Sequence, residues 1–164
     1  MCHSLVLHAY DNAGETLSQT AKVDASGLVS FTNLPTDRGY FYEPEITLNG
    51  ARLFGRTAQF TNTQKINSTL SVFPVTTDAN AISISELHFF VNDMNESTMT
   101  LVEFYIFDNN STSAYISSPG QSLKISLPAE ATNLRFDGPG IGERFMRDGN
   151  MLIDKDATPP GAKG

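Results

Sequence analysis

The chain has 164 residues and a formal net charge of −7, with 40% hydrophobic and only 18% charged residues. A single cysteine excludes an internal disulfide framework and any zinc or iron–sulfur site built from cysteines. The negative charge argues against a nucleic-acid partner, because phosphate binding needs clustered lysine and arginine. No apolar run reaches the ~18 residues that a membrane-spanning helix needs, so no transmembrane segment is predicted.

Apolar residues recur mostly with a period of two, which is typical of β-strands, and we predict an all-β fold. In the first half, short alternating runs lie at residues 5–10, 21–23, 29–31, 46–48, 58–60 and 66–72, with Leu53 after the turn at residues 49–50. Asn49-Gly50 is a strong hairpin signal, since both residues tolerate positive φ. Glu43 and Glu45 share a strand face, as a glycosidase carboxylate pair would, but Pro44 between them indicates a sheet edge.

The alternating pattern pauses at residues 73–80, which predicts a domain boundary there. We expect a first β-sandwich module over residues 1–75 and a second over residues 76–157. Residues 100–107 form the most apolar run and are apolar on both strand faces, which predicts a buried central strand. Residues 158–164 are rich in Pro and Gly and are predicted to be a linker or tail. Together with the abrupt beginning of the sequence at Met1, these residues lead us to expect that the chain is a piece of a longer protein.

Residues 5–11 and 23–35 resemble the carboxypeptidase regulatory-like family, whose hallmark is an Asp-x-x-Gly-x-x-x-Phe-x-Asn-Leu-Pro hairpin. The residues that carry the resemblance are Asp24, Gly27, Phe31, Asn33, Leu34 and Pro35. Residues 46–54 are similar to the penultimate hairpin of the family, and the match covers residues 5–75. The resemblance implies a transthyretin-like, Ig-like β-sandwich for the first module, with no catalytic residues of its own, and we expect an Ig-like, transthyretin-like sandwich in the second module as well.

The chain departs from the family because the usual first strand, before Leu5, is missing. This departure predicts either truncation or a strand supplied by a partner chain. The second half resembles tails that follow such domains in exported bacterial proteins, some of them attached to c-type cytochrome modules.

Patterns for catalysis and metal binding are weak. Cys2-His3 matches only the end of a Cys-x-x-Cys-His haem motif, and an exposed terminus is the favoured interpretation. Residues 138–142 lack the Lys-Ser/Thr ending of a phosphate-binding loop. Residues 92–97 and 108–111 offer oxygen donors for calcium, but Asx turns are favoured. We therefore expect a non-enzymatic protein and predict no catalytic residue, metal or cofactor.

The best candidate binding surface is the aromatic run Tyr40-Phe41-Tyr42 beside Arg38 and Arg56. Because successive side chains of a strand point to opposite faces, at least one of the three aromatics is expected to be exposed. Aromatic residues with arginine are typical of protein–protein hot spots, and tyrosines also stack on sugars. A segment that packs over the open end of the sandwich is an equally weighted alternative.

These features favour a non-enzymatic, exported β-sandwich protein. We expect an accessory or structural subunit that makes protein–protein contacts in a cell-surface or membrane-associated assembly. One alternative is a carbohydrate or cell-wall binding module, in which a glycan replaces the protein partner. Another alternative is an accessory part of a c-type cytochrome electron-transfer protein. The expected location is the cell surface, the periplasm or the extracellular space.

Overall fold

The computed structural model describes residues 3–11, 13–37, 39–61, 63–137 and 142–164. The all-β prediction is confirmed, since strands make up 48% of the described residues and the described ranges contain no α-helix. The chain divides into two compact units, Met1–Val72 and Phe73–Gly164, and this division lies beside the predicted boundary. No helix in the described ranges is long and apolar enough to cross a membrane. An Ig-like sandwich in each half stays a prediction.

The first unit is built on one antiparallel sheet with the strand order β2-β1-β3-β4. Its strands are β1 (Ser4–Asp11), β2 (Gly14–Lys22), β3 (Phe41–Leu48) and β4 (Ala51–Phe54). Asn49 and Gly50 join β3 to β4 with φ of 49° and 83°, the two-residue turn that the sequence predicts. Since β1 has neighbours on both sides, a strand supplied by a partner would have to add at β2 or β4.

Pro44 lies inside this sheet, which corrects the prediction of a sheet edge at Glu43 and Glu45. The carbonyl of Pro44 accepts a hydrogen bond of 2.8 Å from the amide of Gly55, just past the end of β4. The backbone nitrogen of Pro44 faces the same side, so its missing hydrogen falls between this bond and the isolated Tyr42–Ala58 bridge, where β4 has already ended. Gly55 is needed there, because a Cβ would lie 2.6 Å from Pro44 Cγ.

One buried cluster of the first unit joins Ala9, Tyr42 and Phe60, and Leu5, Ile46, Ala51 and Leu53 are buried as well. The predicted strand at residues 29–31 is not formed, since residues 23–37 contain no strand. Asn33 adopts a positive φ of 58° and Pro35 lacks an amide hydrogen, so both interrupt extended ladder pairing.

The second unit contains two three-stranded sheets, ordered β12-β7-β6 and β10-β11-β9, and a parallel pair of β5 and β8. Its strands are β5 (Val75–Thr76), β6 (Ile82–Met94), β7 (Met99–Asn109), β8 (Ala114–Tyr115), β9 (Lys124–Ser126), β10 (Phe145–Asp148), β11 (Met151–Asp154) and β12 (Gly161–Lys163). A short 3-10 turn, Ala79–Ala81, precedes β6 and is capped by the side chain of Asp78. One buried cluster of this unit joins Phe107, Tyr115 and Leu123, and Ile116, Leu152 and Ile153 are buried as well.

Residues 158–164 contain structure where a linker or tail was predicted. Strand β12 pairs with the end of β7, with Lys163 opposite Phe107. Thr158 is fully buried and exchanges backbone hydrogen bonds of 2.8 and 3.0 Å with Tyr115. This segment is ordered because its backbone groups find partners in the body of the unit, which composition alone does not reveal.

The predicted burial of residues 100–107 is wrong over most of the run. Strand β7 does lie between β12 and β6, but β12 pairs only with its last three residues. Phe107 is buried, whereas Leu101, Val102 and Phe104 are exposed. The β6–β7 hairpin therefore extends beyond the core that its base helps to form.

Candidate functional site

The predicted aromatic site is divided between core and surface. Tyr42 is only 2% exposed, and its ring meets that of Phe60 edge-on with the centroids 5.6 Å apart. Its hydroxyl donates a hydrogen bond to the carbonyl of Pro35, and burial raises the pKa of Tyr42 above its ordinary value. Tyr42 is therefore a core residue and not a binding platform, which corrects the prediction.

The other members of that site are distributed differently. Phe41 is 42% exposed because it precedes Tyr42 in β3 and points to the opposite face. Tyr40 is half-buried against the same core as Tyr42, and Arg56 is exposed. Arg38 lies outside the described residues. Two of the three aromatics thus contribute to packing, which agrees with the alternative that this segment covers the core.

A charged cluster lies on the opposite face of the same sheet and joins all four strands. His8 Nδ1 is 2.7 Å from Glu15 Oε1, and His8 Nε2 is 3.1 Å from Glu45 Oε2. Arg52 Nε lies 3.1 Å from the same Glu45 oxygen. Because both ring nitrogens of His8 face carboxylates, the cluster cross-links the strands of the sheet.

The Asn-rich loops use their side chains to close turns. Asn95 Oδ1 accepts hydrogen bonds of 2.9 Å from the amides of Ser97 and Thr98. Asn109 Oδ1 accepts a hydrogen bond of 3.0 Å from the amide of Ser111. The structure shows the side-chain-to-backbone bonds that Asx turns make.

Within the described ranges, no three His, Cys, Asp or Glu side chains form a group that could hold a metal ion. Cys2 and residues 138–141 lie outside those ranges.

Most of the exposed large apolar side chains in the described ranges lie on the β6–β7 hairpin, and we call residues 84–106 the arm. The front face of the arm pairs Leu87 with Tyr105, Phe89 with Glu103 and Val91 with Leu101 across the two strands. Its exposed large apolar residues are Ile84, Leu87, Phe89, Val91, Met94, Met99 and Leu101. Phe89 is 59% exposed. Cross-strand packing alone therefore leaves most of this face in water.

The front face continues the core of the second unit. Ile82 and Tyr105 pack against the buried cluster around Phe107, and the rings of Tyr105 and Phe107 stack with centroids 5.7 Å apart. A cleft of about 350 Å³ lies at the base of the arm. Its lining includes Ile84, Phe107, Tyr115, Leu123 and Lys124. One apolar strip thus runs from the core, past the cleft, to the tip of the arm.

The back face of the arm mixes aromatic and charged side chains. The His88 ring stacks on Phe90 and lies beside Phe104, with both centroid distances 6.1 Å. Glu86 Oε2 is 3.2 Å from His88 Nε2. Phe90, Val102 and Phe104 are exposed, so the arm is apolar on both faces near its middle.

The arm carries acidic side chains without lysine or arginine. No Lys or Arg occurs between Lys65 and Lys124. The β6–β7 hairpin, residues 82–109, contains five carboxylates: Glu86, Asp93, Glu96, Glu103 and Asp108. The surface of the arm therefore combines exposed apolar groups with negative charge.

A buried ionic cluster holds the C-terminal segment onto this unit. Asp154 is 2% exposed, and its Oδ2 lies 2.9 Å from Arg144 Nη2 and 3.1 Å from Lys163 Nζ. Lys163 Nζ also donates to the carbonyls of Asp156 and Ala157 at 2.8 and 3.1 Å. Burial lowers the pKa of Lys163 below its ordinary value, while Asp154 opposes that shift. The cluster anchors β12, which pairs with the base of β7.

Comparison with known proteins identifies no relative of this chain: no family model, no curated protein and no solved structure matches it. The resemblance to carboxypeptidase regulatory-like domains therefore stays a prediction from the motif residues.

Two tyrosines are expected to lose their protons late in an alkaline titration. Burial and a 2.8 Å hydrogen bond to Glu103 raise the pKa of Tyr105 to about 12. Burial and the nearby Glu43 raise the pKa of Tyr10 to about 12. The folded chain keeps protons that the unfolded chain loses, so this stabilisation is present below pH 10.0 and decreases as the pH rises towards about 12.

Tyrosinate absorbance measured against pH tests this expectation. Tyr105→Phe should remove one late-titrating tyrosine, and Glu103→Gln should move that titration back towards the ordinary value. Tyr10, in the first unit, serves as the internal reference. An unchanged titration curve in both variants would contradict the assignment.

Proposed function

We propose that the protein is a non-enzymatic, exported accessory or structural subunit that makes protein–protein contacts in a cell-surface or membrane-associated assembly. The observation that carries the proposal is the arm, a two-stranded ribbon with exposed apolar residues on both faces. Contiguous apolar patches of this kind mark interaction sites on soluble proteins. A two-stranded ribbon is also only marginally stable alone in water, so a covering partner stabilises it.

The contact chemistry of the arm fits a protein partner. Aromatic and methionine side chains, such as Phe89, Phe90 and Met94, are enriched in the cores of protein interfaces. The cleft at the base of the arm gives such a partner a concave place for one apolar side chain. The surface location in this proposal is supported by the resemblance to exported bacterial proteins.

Photo-cross-linking in the source cells tests the proposal. Benzoylphenylalanine at Phe89 should form an adduct with a discrete second protein when the cells are illuminated. The same amino acid at Leu28, which is 63% exposed in the first unit, provides the matched control. Fractionation of the cells before analysis checks the location. If the two positions give the same adducts, or if neither gives one, the arm is not the contact surface.

A further inference from the structure

The outer edge of β6 is open to a further strand. Among the described residues, β6 pairs with β7 alone in the sheet order β12-β7-β6, so its outward backbone groups face no described strand of this sheet. The pairing register shifts between Ile84 and Glu86, and again between Val91 and Asp93. Bulges of this kind bend a strand and interrupt pairing. Residues 86–91 are therefore the regular part of the edge, between two irregular ends.

Charge restricts what can add to this edge. The hairpin has five carboxylates and no Lys or Arg, and Glu86 lies at the beginning of the regular section. A second copy of the chain would bring another five carboxylates close to the first five, and the two acidic arms would repel each other. An anionic lipid surface is disfavoured for the same reason. A segment with Lys or Arg is attracted instead.

We infer that the arm binds an extended, basic segment of a partner protein, which adds as an antiparallel or parallel strand to β6 along residues 86–91. This inference rests on the proposed function and specifies its partner. Alternate side chains of the added strand lie beside Leu87, Phe89 and Val91 on the front face. These side chains of the partner are apolar, to match the three apolar residues of β6. The intervening side chains lie on the back face, where a Lys or Arg meets Glu86.

Main-chain hydrogen bonds along the edge supply affinity in this mode of recognition, and the alternating side chains supply specificity. Opposite charges placed side by side on neighbouring strands add a smaller contribution. Binding is therefore expected to depend on backbone amides, on the apolar front face and on salt concentration.

The test measures binding of short labelled peptides to the full chain by fluorescence anisotropy. One peptide alternates valine with lysine, a second alternates valine with glutamate, and a third is the lysine peptide with alternate backbone nitrogens methylated. The lysine peptide should bind, and the other two should bind at least about tenfold more weakly, because they lose the charge match or the main-chain hydrogen bonds. Equal binding of the first and third peptides would show attraction without strand addition and would overturn the inference.

Variants locate the binding site. Glu86→Lys should weaken the lysine peptide about fivefold and strengthen the glutamate peptide, since it reverses the charge beside the added strand. Glu130→Lys makes the same change at an exposed position outside the arm and should leave both affinities unchanged. Phe89→Asp should abolish binding, whereas Leu28→Asp should not. Equal effects of the arm variants and their controls would overturn the inference.

Two further outcomes separate this inference from the proposed function. If position 89 cross-links to a protein in cells but the lysine peptide does not bind, the inference of a basic added strand is wrong. The proposal that the arm is the contact surface is then still supported. If neither occurs, both fail. Dimerisation in sedimentation, or binding to vesicles of anionic lipid without peptide binding, would identify a different occupant and would also overturn the inference.

Discussion

Asp154→Asn is expected to lower the free energy of unfolding of the second unit by about 3 kcal/mol, in the range observed when one partner of a buried ion pair is removed. The carboxylate of Asp154 receives hydrogen bonds from Arg144 Nε and Nη2 at 3.1 and 2.9 Å. It also lies 3.1 Å from Lys163 Nζ. Without it, two cations face a buried amide, and the contact that anchors β12 is lost.

The pH dependence of this variant has a definite sign. Because the pKa of Lys163 is lowered in the folded chain, the unfolded chain binds more protons between that lowered pKa and 10.5, so this group stabilises folding more as the pH rises. Asp154→Asn removes the main opposing charge, so Lys163 loses its proton more readily. The destabilisation should therefore be smaller at alkaline pH than at neutral pH.

Hydrogen exchange resolved by segment is the appropriate measurement, because two units need not unfold in one step. Protection should fall at β12 and at the base of β7, and the first unit should be unaffected. Asp148→Asn, at an exposed position in β10, is the control. If both variants lose protection equally, the Asp154 cluster does not carry the stability assigned to it.

Tyr42→Ala is expected to destabilise the first unit by about 3–5 kcal/mol, the usual cost of truncating a buried aromatic residue. The change opens a cavity beside Phe60 and Ala9 and leaves the carbonyl of Pro35 without its hydrogen-bond donor. Such a loss unfolds many small domains, whose total stability is about 5–15 kcal/mol.

The neighbouring Phe41→Ala is the matched control for Tyr42→Ala. Its side chain is 42% exposed, so its truncation should cost less than about 1 kcal/mol. Urea unfolding followed by segment-resolved exchange compares the two variants. If Phe41→Ala proved the more damaging change, the assignment of Tyr42 to the core would be wrong.

Local sequence signals predicted where strands lie better than they predicted which side chains of a strand are buried and which strands pair. Alternation at residues 5–10 indicated β1, and Asn49-Gly50 indicated the β3–β4 turn, because both signals depend on neighbouring residues. The pairing of His8 with Glu45 could not be predicted, since the two are 37 positions apart and meet only through the sheet register. Tyr42 was misplaced because alternation does not tell which face of a strand is buried.

The arm shows a second limit of sequence reasoning. Apolar residues on both faces of residues 100–107 favoured burial between two layers, but no part of the described second unit pairs with β7 there beyond β6. The charge pattern of the sequence could have distinguished an exposed hairpin from a strand buried between two layers. The hairpin has no Lys or Arg, so exposed apolar residues there combine with unbalanced negative charge.

The two register shifts in β6 have a consequence for the size of any complex. Sheet growth at an open apolar edge is the route by which proteins form fibres. Here the shifts at Ile84/Glu86 and Val91/Asp93 leave only a short straight ladder, and the acidic arms repel one another. A second copy of the chain would therefore meet only a short ladder and like charge at this edge, which disfavours growth of the sheet from chain to chain. The arm is therefore suited to complexes of fixed composition, with protection against polymerisation of the chain with itself.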